Sequence, residues 1–254
     1  MYMRIILILT FSGLAWLRGA ANDQQPNVIL IMADDLGQEC IENYGGESYQ
    51  TPRLSQLAQE GVWFSNAHSQ PICTPSRVQI MTGKYNVRNY IRFATLDRSQ
   101  DTFGHAFRNA GYHTAIVGKW QLGGTSETIH EFGFDEHCLW NIRGAHNERY
   151  VSPTLLTNGK TEDFRGQYGP DLQQAFAKDF IIRHRDEPFL LYYPVTLPHY
   201  PFPVSRLRIR QNGIQIVTHG STTLAILVIW SLTLTSSWVN SSILLGMKAL
   251  QIIP

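Results

Sequence analysis

The sequence predicts an α/β fold, a mixed and mostly parallel sheet with helices on both faces, and three observations predict it. Short apolar, β-branched-rich runs at residues 27–32, 112–117 and 188–193 are continuous rather than alternating, the pattern of strands buried on both faces. Stretches with helical spacing lie between them. Each run leads into residues able to do chemistry: Asp34 and Asp35, Lys119, and His199. The carboxyl ends of strands are where open α/β sheets place ligands.

The chain has 254 residues, 43% apolar and 16% charged, enough for one or two domains with a sizeable core. A formal net charge of +1 argues against a nucleic-acid partner. It hides an asymmetry. All 20 acidic residues precede residue 188, and from there onward the chain carries four Lys/Arg and no carboxylate.

The elements follow in order. Arg4, the apolar stretch 5–17 and the small residues Gly19, Ala20 and Ala21 read as a signal peptide over residues 1–21. The apolar run is short for a membrane span. Residues 27–32 form the first strand. Thr51 caps a helix with Pro52 in its first position, a stripe of Leu54, Leu57 and Ala58, and Gly61 as its stop. Residues 62–67 read as a second strand, and His68 after it as structural. A helix then begins at Cys73, with Pro75 in its first turn and Gly83 as its stop.

Asp101 or Thr102 caps the next helix, whose stripe is Phe103, Ala106, Phe107 and Ala110. The strand at 112–117 delivers Gly118 and Lys119. Residues 132–135 form a turn, and 147–167 read as an irregular surface segment. A helix over 171–184 turns Leu172, Ala175, Phe176 and Phe180 inward. The last buried strand starts at Pro188 and leads to His199. In the tail, residues 224–230 have strand character. The longer apolar stretch 224–246 is too interrupted by Ser, Thr and Asn for a stable membrane span.

Some site chemistry is legible from residue types alone. Cys73 and Arg77 are four residues apart and share a helix face. Cys73 then sits at a helix N-terminus, where free N–H groups, the dipole and a guanidinium favour an anion. Adjacent Asp34 and Asp35 repel each other, and a hard divalent cation relieves that repulsion. Lys119 and His199 taken singly are no more than strand-end residues.

Cys73-Thr74-Pro75-Ser76-Arg77, followed by Thr82-Gly83, resembles the signature of the type I sulfatases of the alkaline-phosphatase-like superfamily. The stretches 26–37, 51–54, 61–64 and 118–123 look like the same family. The resemblance implies that Cys73 is oxidised by a maturation enzyme to formylglycine, whose hydrated aldehyde attacks a sulfate ester. It implies that Asp34, Asp35 and the modified Cys73 bind the metal, Ca2+ with Mg2+ as the alternative. Lys119 matches the lysine that binds sulfate oxygens. His199 matches a histidine set against the bridging oxygen, where it binds sulfate and protonates the leaving alcohol. Gln121 stands where the family has a histidine credited with base work, and glutamine cannot take that proton.

The implied activity is arylsulfatase-like hydrolysis of sulfuric esters, with sulfated carbohydrates as the default substrate. The implied compartment is periplasmic, secreted or lysosome-like. Cys40 and Cys138 are then either a pair or two buried free thiols.

The resemblance runs from Pro26 to about Val204, which makes residues 22–204 the N-terminal part of a sulfatase catalytic domain and 205–254 an atypical tail. The family's later Asp-Asn-Gly strand end and late lysine have no counterpart in this sequence; Gln211-Asn212-Gly213 is no substitute. The abrupt loss of carboxylates points to a shifted reading frame or misplaced gene end, and so to a fold incomplete at the C-terminus. Two rivals remain: a phosphate mono- or diester hydrolase of the same superfamily, and a non-catalytic truncated product.

Overall fold

A computed structural model describes residues 25–140, 142 and 148–200. The signal segment 1–21 and the tail 205–254, with its strand-like stretch 224–230, lie outside the described residues. Eleven elements of α-helix and strand follow in chain order: β1 (Val28–Asp34), α1 (Pro52–Glu60), α2 (Cys73–Thr82), α3 (Phe103–Asn109), β2 (His113–Lys119), α4 (Ser126–Glu131), β3 (Glu136–Trp140), β4 (Thr154–Thr157), β5 (Lys160–Asp163), α5 (Gly169–Arg183) and β6 (Phe189–Pro198).

The strands form one six-stranded sheet in the order β1-β6-β2-β3-β4-β5. β1, β6, β2 and β3 pair in parallel, while β3–β4 and β4–β5 pair antiparallel. Side chains alternate across the two faces. Ala115, Val117, Leu191, Tyr193 and Val195 pack with Ala177, Phe180 and Ile181 of α5. Ile116, Leu190 and Tyr192 face the other way and pack with Val78 and Met81 of α2, Ile129 of α4 and Phe103 of α3. Both faces are therefore covered, as the continuous apolar runs require. β6 shows this most fully, because all ten of its residues are buried.

β1 departs from the expectation of a strand buried on both faces. It lies at the end of the sheet, only Asp34 in it is buried, and Ile31 is 46% exposed. Residues 62–67 form no strand: Val62, Trp63 and Phe64 are exposed, and the segment finds no ladder partner among the described residues. His68 is exposed as well, so it is not a packing residue.

The segment 147–167, expected to be irregular, contains the β4–β5 hairpin. Asn158 and Gly159 fill its two-residue turn with φ of 44° and 90°, the Asn-Gly signal of a tight hairpin. β3 and α4 were not legible in the sequence. Thr51 occupies the position before α1, yet its hydroxyl makes no cap bond. It accepts the Glu42 N–H at 3.1 Å. Thr102 rather than Asp101 caps α3, in a capping box with His105. Ala106, Ala110 and Ala175 turn outward, and α5 buries Gln173 and Ala177 in place of Ala175. Small alanines lose little by facing water, so their expected positions are the ones that slipped.

Candidate active site

The carboxyl ends of β1, β2 and β6 and the N-terminus of α2 meet at one end of the sheet. The β1–β6 ladder is irregular there: Met32 pairs with Pro194, but Asp34 pairs with Pro198. That slip sets Asp34 and Asp35 beside His199, and His199 Nε2 lies 3.4 Å from Asp35 Oδ2. Asp35 adopts a positive φ of 59°, which turns successive carboxylates in different directions.

Asp34 is the centre of the site. Lys119 Nζ lies 2.7 Å from its Oδ2, and Arg77 Nη2 lies 3.2 Å from its Oδ1. Arg77 Nη1 also donates to the Lys119 carbonyl at 2.8 Å. All three side chains are almost completely buried. Burial pushes the Lys119 ammonium below its usual range; the Asp34 carboxylate opposes that shift and the Arg77 guanidinium adds to it. Two cations share one carboxylate, which leaves one positive charge in excess in a dry place.

Cys73 is the first residue of α2 and is partly accessible. It opens the helix that carries Arg77 to Asp34. α2 forms where its apolar and small residues meet the sheet, and Gly83 ends it in the left-handed conformation, φ 64°. Arg77, one turn on from Cys73, is carried inward with Val78 and Met81.

Gln121 is nine-tenths buried, and its side-chain carbonyl oxygen has no hydrogen-bond partner among the described residues. The Nε of Arg77 is likewise buried without a partner. All three cysteines are free thiols, so Cys40 and Cys138 are not paired.

The site brings together Asp34, Arg77 and Lys119 in one ion-paired group and sets Asp35 against His199. The pairing of Lys119 with Asp34 was not foreseen, since the two are 85 residues apart. Tyr150 was also missed. Its hydroxyl lies 3.0 Å from the Thr196 carbonyl oxygen and also within bonding distance of that of His199, so it ties down the chain on either side of Pro198. No local pattern marks such a tyrosine. Gln173 of α5 reaches the Gly118 carbonyl at 3.3 Å, and a lone glutamine on an inward helix face is the signal that was available.

Comparison with known proteins bears on this arrangement. A family model described as Sulfatase matches residues 26–209. An N-acetylglucosamine-6-O-sulfatase of Bacteroides thetaiotaomicron is 32% identical over 204 residues, covering 76% of this chain and 35% of that protein. The human N-acetylgalactosamine-6-sulfatase is 30% identical over 227 residues, covering 72% of this chain and 41% of the relative. The chain thus spans well under half the length of these curated relatives.

Among solved structures, BT4656 in complex with its substrate D-glucosamine-2-N,6-O-disulfate superposes with a TM-score of 0.61 at 30% identity, over 70% of this chain and 35% of that one. Ps i-CgsB in complex with k-i-k-neocarrahexaose gives 0.69 at 24% identity over 85% and 56%, a likeness of fold alone. The match begins just before β1 and ends beyond His199, so it takes in every strand end that builds the site, and the chain belongs to the sulfatase family.

Proposed function

We propose that this strand-end site is that of a sulfuric ester hydrolase of arylsulfatase type, with residues 22–204 as the N-terminal part of its catalytic domain. The carrying observation is the buried centre in which Arg77 and Lys119 share Asp34 at the N-terminus of α2. An excess positive charge beside free helix N–H groups suits an anion of the sulfate kind. The relatives named for 6-sulfated amino sugars support a sulfated carbohydrate as substrate.

The donor set fits a hard divalent cation in kind. Asp34 and Asp35 are oxygen donors, as the modified Cys73 would be, and oxygen is the donor type that Ca2+ or Mg2+ takes. A cation at Asp34 would share that carboxylate with Lys119 and Arg77. In this reading the cation supplies a Lewis acid and formylglycine, formed from Cys73 by a maturation enzyme, supplies a nucleophilic hydroxyl. Arg77 and Lys119 hold the sulfate oxygens and the charge that develops on them. His199, oriented by Asp35 and by the Tyr150 bond to its carbonyl, holds the proton for the leaving alcohol. Gln121 holds a hydroxyl and moves no proton. The leader at residues 1–21 directs the chain to a periplasmic, secreted or lysosome-like compartment.

The test is production in a host able to make formylglycine, followed by mass analysis of the Cys73 peptide and assay of aryl sulfate against aryl phosphate. The expected result is an aldehyde mass, preference for the sulfate, and no turnover in Cys73→Ala. An unmodified thiol, or preference for phosphate, overturns the reading.

A further inference from the structure

At the other end of the sheet, side chains of metal-ligand type converge that the proposed reaction does not use. His113 opens β2, His184 follows the last turn of α5, and Glu187 precedes β6. They lie ~20 Å from Lys119, because β2 climbs about 3.3 Å per residue between His113 and the site.

The geometry is close. His113 Nε2 lies 2.5 Å from Glu187 Oε2, and His184 Nδ1 lies 3.8 Å from the same oxygen. One ligand atom from each of the three residues falls within 4.8 Å of the others. The two imidazoles stack with centroids 4.1 Å apart at 27°. The backbone fixes the cluster, since the His113 N–H donates to the Pro188 carbonyl at 3.0 Å.

His184 is arranged further. Its Nε2 lies 3.2 Å from Glu136 Oε1. Glu136 is itself gripped by Arg183, at 2.9 and 2.6 Å. Arg183 Nη1 lies 3.2 Å from the same His184 nitrogen, so carboxylate and guanidinium together fix the ring, as outer groups do for metal-ligating histidines, and set its other nitrogen toward Glu187. That other atom, Nδ1 of His184, is buried with no hydrogen-bond partner among the described residues. An ion pair accounts for His113 with Glu187. It leaves His184 Nδ1 buried 3.8 Å from that carboxylate, beyond hydrogen-bond reach.

We propose that His113 Nε2, His184 Nδ1 and the Glu187 carboxylate form a binding site for a borderline transition-metal cation of the Zn2+ kind, with Glu136 positioning His184. Two imidazoles and one carboxylate are a zinc-type donor set, unlike the all-oxygen set of calcium. Tetrahedral zinc with bonds of about 2.0–2.1 Å places its ligand atoms roughly 3.3 Å apart. The present separations bracket that value. The His113 and Glu187 side chains, 44% and 60% exposed, have room to adjust. The bound cation joins the start of β2, the end of α5 and the entry to β6, leaving a fourth position for water.

The test uses the full chain, stripped with chelator and titrated calorimetrically with Zn2+, then with Co2+ as a spectroscopic probe. The expected result is one saturable equivalent and a Co2+ spectrum with ligand-field bands but no thiolate charge-transfer band. Zn2+ should raise the melting temperature of the native chain. Affinity should fall at least about tenfold in His113→Ala and in the surface variant Glu187→Gln. Glu136→Gln should weaken Zn2+ by about tenfold and shift the Co2+ bands. The proposal is overturned by absence of saturable uptake, by unchanged affinity in both His113→Ala and Glu187→Gln, or by a thiolate band that puts the metal on Cys73.

Discussion

Asp34 is the residue whose loss the fold should feel most. Its carboxylate is the shared partner of two buried cations, Lys119 and Arg77. Asp34→Asn leaves both charges short of a counter-ion, and breaking a buried pair of this kind costs about 3–5 kcal/mol. Urea denaturation at neutral pH should show a loss of that size; a change under about 1 kcal/mol would mean the cations find other partners.

Gln121 makes a functional prediction. If the chain turns over aryl sulfate, Gln121→His restores a group able to take a proton and should raise kcat by about tenfold or more. An unchanged kcat would show that the step made at this position is not limiting.

His137 carries the pH dependence. Its ring is buried, its Nε2 is engaged by Ser126 and by the Gly159 N–H, and burial lowers its pKa from 6.5 to about 4. Between those values the unfolded chain binds the proton and the folded one does not. Stability should therefore fall as pH drops from 6.5 to about 4, by roughly 3 kcal/mol from this group alone. Denaturation curves for the native chain and His137→Gln across that window should differ in slope, and parallel curves would remove the assignment.

At the scale of elements, the site depends on how closely β2 and β6 approach. Gly118 has φ of +125°, and a Cβ there would lie 2.0 Å from the Pro194 carbonyl oxygen. Neither the backbone angle nor the space admits a side chain. Gly118→Ala should cost about 2–4 kcal/mol, through strain and displacement of the strand that presents Lys119. The check is thermal denaturation of the variant beside a surface alanine control; equal melting temperatures would contradict the geometry.

Element scale is also where the sequence was read unevenly. α2 was legible because Pro75 and Gly83 punctuate it, and β6 because its apolar run is unbroken. The hairpin carries the Asn158-Gly159 turn signal but was masked by its second strand: β5 is mostly exposed and carries no apolar face. β3 and α4 are five and six residues long, too short to show a period of their own. The strand expected at 62–67 had the right residue types, but β propensity yields no strand without a ladder neighbour.

At the scale of the molecule, β1 ends the sheet and pairs only with β6 among the described residues. Ile31 on it, with Val62, Trp63, Phe64 and Val87 elsewhere, is an exposed large apolar side chain. Open edges and exposed apolar surface favour self-association. Light scattering of the purified chain should show concentration-dependent growth, reduced in Ile31→Lys; identical behaviour of the two proteins would clear the edge of responsibility. Among the described residues no helix is long and apolar enough to cross a membrane.

The sequence by itself determined the fold class, the places of the main parallel strands along the chain and the family. These rest on local signals: unbroken apolar runs, helix punctuation, and a cysteine-to-arginine motif whose spacing is one helical turn. Only the tertiary structure decided which polar groups meet. Asp34 belongs to Lys119 and Arg77, Asp35 to His199, and His184 to Glu136. Each pair joins segments dozens of residues apart, brought together by strand register and by an irregular ladder at Asp34. Register and ladder slips arise from the competition of whole strands for burial, which no single stretch of sequence records.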